Sequence, residues 1–240
     1  MKRFLHFIEI ISLFIFVVLL LNLNIEAKAQ QTVFSVPSAD VTPKGRVFLE
    51  QESSFRGWGE DAFFTSTSIG SYGIGHNTDL DIALFNVGAP ATHNIALATG
   101  FKTSIPIAKE RLKNSELKIT VGDEVLTSLQ GNGVGNWTYV HFSGRLPKLR
   151  TRLTAGVSYG SKQVFGTNNV AFIGAIEHPI TKKLTLITDW YSGREHWAGY
   201  LMTGFSYRFP KDKTLYAGYQ IPNTPNNGVS GFVIEFSKMY

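Results

Sequence analysis

From about residue 45 onward, one kind of turn returns along this chain at near-constant intervals. It reads GIGHNT at Gly75, IPIAKERLKNS at Pro106, LPKLR at Pro147, HPITKK at Pro179 and FPKDK at Pro210. Counted from Gly45, the intervals are 30 to 32 residues, apart from 41 between Pro106 and Pro147, and 30 residues follow Pro210. Each interval holds two strands of about ten residues with their connections, and about ten residues is what a tilted strand needs to cross a bilayer. Six such units predict twelve strands, at 46–55, 62–74, 78–87, 94–105, 116–126, 137–146, 151–160, 169–178, 184–192, 200–209, 214–221 and 229–240. No stretch in this region has a 3.6-residue apolar period, and Gly, Asn and Pro punctuate it every ten to fifteen residues, so the expected class is all-β.

The connections between the recurring turns are of another kind: RGWGED, GAPATHN, LQGNGVGN, SKQVFGTNN, SGREHWAG and PNTPNNG. They are rich in Gly and Asn, whereas the Pro-containing set carries most of the turn cations, among them Lys109, Arg111, Lys148, Arg150, Lys182 and Lys211. One sheet with two chemically distinct ends is implied, and a soluble sandwich has no need of that asymmetry. Within the strands, Ile95, Leu97 and Phe101 alternate with Ala96, Ala98, Gly100 and Lys102, and Leu201, Phe205, Tyr207 and Phe209 with Gly204, Ser206 and Arg208. An apolar face opposite a small or charged one fits an antiparallel sheet closed with its apolar face outward. The four tryptophans, Trp58, Trp137, Trp190 and Trp197, lie in or beside the Gly/Asn connections, as an interfacial aromatic girdle would require. Phe101, Tyr207, Phe209, Phe236 and Tyr240 could form a second girdle. Backbone groups cannot stay unpaired in hydrocarbon, so such a sheet must close. The expected fold is a transmembrane antiparallel up-and-down β-barrel of about twelve strands.

Residues 1–29 read as a cleaved signal peptide: Met1-Lys2-Arg3 is basic, IISLFIFVVLLL is apolar, and Ala27-Lys28-Ala29 has the A-x-A form. A retained inner-membrane anchor is the alternative, although Glu9, Asn22 and Asn24 shorten the apolar run. Residues 30–44 then form an N-terminal periplasmic segment that either hangs free or plugs the lumen, and 45–240 form the barrel. With no cysteine in the chain, neither a disulfide framework nor a lipid-modified N-terminus is available. Beyond residue 29 there remain 20 basic and 16 acidic side chains, too small and dispersed an excess for nucleic acid binding.

The last strand, GFVIEFSKMY, places Phe232, Ile234, Phe236 and Tyr240 on one face. In this it resembles bacterial outer-membrane β-barrels, whose final strand alternates apolar residues and ends in an aromatic one. Lys238 departs from that pattern. The resemblance spans about residues 45–240 and implies that these four residues form the insertion signal read by the barrel-assembly machinery. It also implies that both termini and the Pro/Lys turns lie in the periplasm. VPSADVTPKGRVFLE and YGIGHNTDLDIAL look similar to small barrels grouped with aromatic-degradation transport proteins.

By parity the lumen receives Glu50, Glu52, Asp79, Asp81 and Glu235 along one wall. Lys102, Lys118, Arg145, Arg152 and Arg208 lie along much of the other, with Glu177, Asp189 and His141 among them. Two readings follow. Separated charges could orient small polar solutes through a narrow passage, or they could pair across the lumen and block it. A lumen of twelve strands lies between those filled by side chains and those left open. The expected function is a narrow passive pore for small polar or charged solutes in the bacterial outer membrane, with no cofactor. A closed structural or adhesive barrel binding a partner through Trp58, Phe165 and Trp197 in its outer loops is the alternative. A third is an outer-membrane lipid hydrolase, for which His141, Ser143 and Arg145 in YVHFSGR have a suggestive spacing. Their parity is lumenal, however, and Thr154, Ala155 and Gly156 offer no third member. GNGVGN at Gly131 neither follows a buried parallel strand nor precedes a helix, against a phosphate loop. His93 and His196 are isolated, against a zinc site.

Overall fold

The computed structural model describes residues 30–57, 62–89, 95–107, 116–162, 170–193, 199–225 and 228–240. The expected signal peptide, Trp58, His93, Phe165, His196 and Trp197 lie outside these residues. Twelve strands are present: β1 (Val47–Arg56), β2 (Phe63–Gly75), β3 (Thr78–Ala89), β4 (Ala96–Pro106), β5 (Lys118–Ser128), β6 (Val134–Arg145), β7 (Arg152–Gly160), β8 (Val170–Pro179), β9 (Leu184–Tyr191), β10 (Tyr200–Phe209), β11 (Lys213–Pro222) and β12 (Gly231–Met239). Each falls within a few residues of its expected position. Every strand pairs antiparallel with its sequence neighbours, and β1 pairs with β12 through a register running from Phe48↔Met239 to Arg56↔Gly231. The sheet therefore closes with no free edge, as immersion in hydrocarbon demands.

Side-chain orientation follows the alternation. On β12, Phe232, Ile234 and Phe236 are 49, 45 and 45% exposed, whereas Val233 and Glu235 are fully enclosed. Leu49, Ile82, Phe142, Phe172 and Phe205 continue the exposed apolar band around the other strands. A belt of this extent is untenable in water and is the surface a bilayer covers. Phe101, Phe209 and Tyr240 also face outward.

Of the turns on the terminus-bearing end, that between β2 and β3 is tight. His76 and Asn77 both hold positive φ, 52° and 57°, the backbone of a two-residue hairpin turn whose twist matches that of its strands. Two irregularities interrupt the β2–β3 ladder, one between Gly73 and Gly75 and one between Ser66 and Ser68, where the register slips by a residue. Opposite the second, Asn86 has φ of 63°. This bulge turns both Phe85 and Asn86 toward the cavity inside the far end of the barrel.

The buried apolar core sits inside the barrel. Val33, Phe34 and Val36, which precede β1, pack against Tyr139, Ile173, Ile187, Tyr191, Met202, Tyr216 and Val233 on the lumenal wall. Residues 30–44 thus do not form a separate periplasmic segment. They fold back into the lumen, because the apolar side chains of VFSV find there an enclosed surface that no solvated tail could offer.

Candidate functional site

The segment 30–44 enters the barrel as a narrow hairpin. Val33 N–H donates to Val36 C=O at 2.8 Å and Ser38 N–H to Gln31 C=O at 3.0 Å, with Thr32 bridged antiparallel to Pro37. Its tip leaves three successive amides directed outward from the turn, and Asp189 on β9 receives them all. Asp189 Oδ2 accepts from Phe34 N at 3.0 Å, Ser35 N at 2.7 Å and Val36 N at 2.8 Å. A buried carboxylate on a group of convergent amides is a strong anchor, because each bond is charge-assisted and shielded from water. Tyr191 O–H donates to Ser35 C=O at 3.0 Å. The Phe34 ring stands edge-on to Tyr216 over Gly218, where a β-carbon would lie 2.4 Å from the ring. Glycine at 218 therefore makes room for Phe34.

Nearer the terminus-bearing end, Gln31 Nε2 lies within hydrogen-bond distance of Thr42 Oγ1, Ser71 Oγ and Asp79 Oδ2, at 2.6, 2.8 and 2.7 Å. Thr42 N–H also donates to Asp79 Oδ2, at 2.7 Å. Lys102 Nζ donates to the carbonyl oxygen of Gln31, at 3.1 Å, and to its side-chain oxygen. Thr32 Oγ1 donates to Glu50 Oε1 at 3.1 Å. Asp40 accepts from Arg152 at 2.8 Å and from Lys118 at 3.4 Å, and Arg152 also stands 3.4 Å from Glu177. Burial opposes the charge on Asp40, but Arg152 and Lys118 outweigh it and hold the carboxyl below its usual range. Six of the lumenal charged residues, Glu50, Asp79, Lys102, Lys118, Arg152 and Asp189, bond the hairpin through its backbone or side chains.

The hairpin divides the lumen. On the terminus-bearing side a cavity of about 350 Å³ is lined by Arg46, Arg145, Arg152, Lys182, Lys183 and Arg208, with Asp40, Glu177 and Asp212. On the far side a cavity of about 170 Å³ carries Glu52, Asp81 and Glu124 against Arg56 and Lys102, between aromatic walls. Cations thus gather at one end and carboxylates toward the other, an axial separation in addition to the strand-by-strand one expected from parity. Glu235 is enclosed at mid-lumen beside β1, where it lies opposite Glu52 in the register.

No protein-family model matches the chain, and no curated protein matches it either. Among solved structures, the NanC porin aligns at 13% identity over 80% of this chain and 98% of the porin, with a TM-score of 0.55. The COG4313 outer membrane channel from Pseudomonas putida F1 aligns at 10% identity, covering 83% of this chain and 97% of the channel, with a TM-score of 0.47. The translocator domain of autotransporter NalP from Neisseria meningitidis gives 14% identity, 81% and 87% coverage and 0.40. The likeness to the NanC porin joins the closed twelve-stranded sheet and its outward apolar band. The chain folds as a bacterial outer-membrane β-barrel.

One sequence expectation needs correction within this barrel, the place of Trp137. Trp137 shares its parity with Tyr139 and His141, lies with its ring 5.1 Å from that of Tyr139 and faces the far cavity. It is therefore no part of an outer girdle, while Trp190, 42% exposed, does face outward. His141 and Ser143 are both buried on the inner face. Neither His141 ring nitrogen has a hydrogen-bond partner among the described residues, and Ser143 Oγ instead accepts from Thr154 at 3.1 Å. A lipid-cleaving pair requires a nucleophile bonded to its base and open to lipid, and this geometry provides neither. Sequence reasoning left open whether residues 30–44 hang free or plug the lumen, and it singled out none of the residues of this hairpin, Gln31 to Thr42.

Proposed function

We propose that this outer-membrane barrel is a narrow passive pore for small polar or charged solutes, closed at rest by its own residues 30–44. What carries the reading is the pair of charged cavities on either side of a hairpin held only by hydrogen bonds, ion pairs and packing. A barrel serving structure alone could fill its lumen with wall side chains. Here the obstruction is a separate chain segment with polar bonds at both ends, the kind of element that has two arrangements. The transverse and axial placement of charge would orient hydrated solutes once the hairpin withdraws.

The test is single-channel recording of the purified protein in a planar bilayer under a salt gradient. Rare, discrete steps with a definite reversal potential are expected, becoming frequent when the hairpin anchor is weakened. A silent bilayer for both, with folding verified by the gel shift of an unheated sample, would move the function to the outer loops.

A further inference from the structure

The far cavity has features that closing a lumen does not require. Tyr139 lies across Gly122, where a β-carbon would come within 2.3 Å of its ring, and Glu124 lies against Gly100, where a β-carbon would come within 2.8 Å of Cγ. Two glycines on the inner face of β5 and β4 thus provide the space in which an aromatic ring and a carboxylate stand side by side. Trp137 and Tyr139 form one wall, and Tyr191 with Tyr200, their rings 5.7 Å apart, form another.

Polar atoms in this box lack partners. The buried oxygens Glu124 Oε2 and Asp81 Oδ1 have no hydrogen-bond partner among the described residues. Of the cations that line the cavity, Lys102 is held by both oxygens of Gln31, and Arg56 sets its guanidinium 5.9 Å from the centre of the Phe63 ring with its buried Nε unpartnered among the described residues. Glu52 already accepts from Ser54 at 2.9 Å. Unsatisfied buried acceptors are costly, and aromatic faces beside unpartnered carboxylate oxygens attract a positive charge carrying an apolar body.

We infer that this cavity is a binding site for a small organic ammonium ion, its N–H groups on Glu124 and Asp81 and its alkyl part between Trp137, Tyr139, Tyr191 and Tyr200. The volume of about 170 Å³ suits a solute of a few heavy atoms. Binding does not depend on conduction, so the site can stand whether or not the barrel proves to be a pore.

The test is calorimetric titration of the purified full chain in a zwitterionic detergent with butylammonium, butan-1-ol and butyrate, three solutes of one shape and different charge. Saturable binding of butylammonium alone is expected, weakened about tenfold or more in the double variant Glu124→Gln, Asp81→Asn. Trp137→Leu, with both carboxylates intact, should weaken it less. Equal binding of butan-1-ol would make the site a neutral apolar pocket and overturn the inference. So would tighter binding of butyrate, or an unchanged affinity in the double variant with its gel shift preserved.

Discussion

Replacing Asp189 by alanine removes the acceptor of three amide bonds at the hairpin tip, those of Phe34, Ser35 and Val36. A hydrogen bond to a charged group contributes about 1.5–3 kcal/mol, and three sharing one oxygen are not additive, so about 3–5 kcal/mol of docking energy is at stake. That is a shift of about a hundredfold to several thousandfold in the ratio of docked to withdrawn hairpin. The strands themselves lose little, because Asp189 pairs through its backbone with Met202 on β10 and Ala175 on β8. Hydrogen exchange read by mass spectrometry should show the protection of amides 34–36 falling by that factor while those of β9 and β10 keep theirs. Asp189→Asn, which retains an acceptor oxygen without the charge, should lie between. In the bilayer the alanine variant should open often where the parent opens rarely. If the exchange of amides 34–36 is unchanged, the carboxylate is not what holds the hairpin and the account of its anchoring fails.

Gly218→Val should force Phe34 from its seat and raise open probability, with an effect that vanishes when Phe34→Ala is added; an effect that persists would place the cause in the barrel wall. Asp40 is held below the ordinary carboxylate value of 3.8 when docked, so its contribution to docking is present above that value and lost as pH falls through the lowered one. Conductance between about pH 5 and 8 should then owe no pH dependence to Asp40, and Asp40→Asn, which leaves Arg152 and Lys118 without its charge, should open the hairpin at neutral pH. Neutralising Arg145 and Arg152 together should move the reversal potential toward cation preference, and an unmoved potential would discard the field account. Phe236→Ala with Tyr240→Ala should reduce the heat-modifiable form recovered from outer membranes, since it removes two of the aromatic side chains that β12 and the chain end present on the outer face; full recovery would remove these residues as an insertion signal.

The barrel was legible because its two signals repeat. The interval of about 30 residues between like turns set the strand number, and alternation within each strand set which face met lipid. Glu50, Asp79, Lys102, Asp189 and Glu235 followed from parity alone. The hairpin did not, because VFSVPSAD is too short for a strand-length pattern and Pro37 interrupts it. At its tip the binding is made by backbone amides, which leave no mark on residue identity. Its traces in sequence are indirect: a glycine at 218 on the inner face, and a lone carboxylate at 189 near the far end of β9. Trp137 was readable in principle, since 137, 139 and 141 share one parity, but nearness to a Gly/Asn connection pointed to the girdle instead.

Because residues 30–44 run without a break into β1, obstruction and passage are covalently one molecule. A flexible tether of this length holds its end at an effective concentration of order millimolar, so closure cannot be diluted away and does not change with the number of barrels in the membrane. If residues 30–44 close the pore as proposed, its resting state is fixed by internal energetics alone, and an agent that opens it must outcompete a partner that never diffuses off. The same peptide supplied separately to a barrel lacking it would have to approach that concentration to close it.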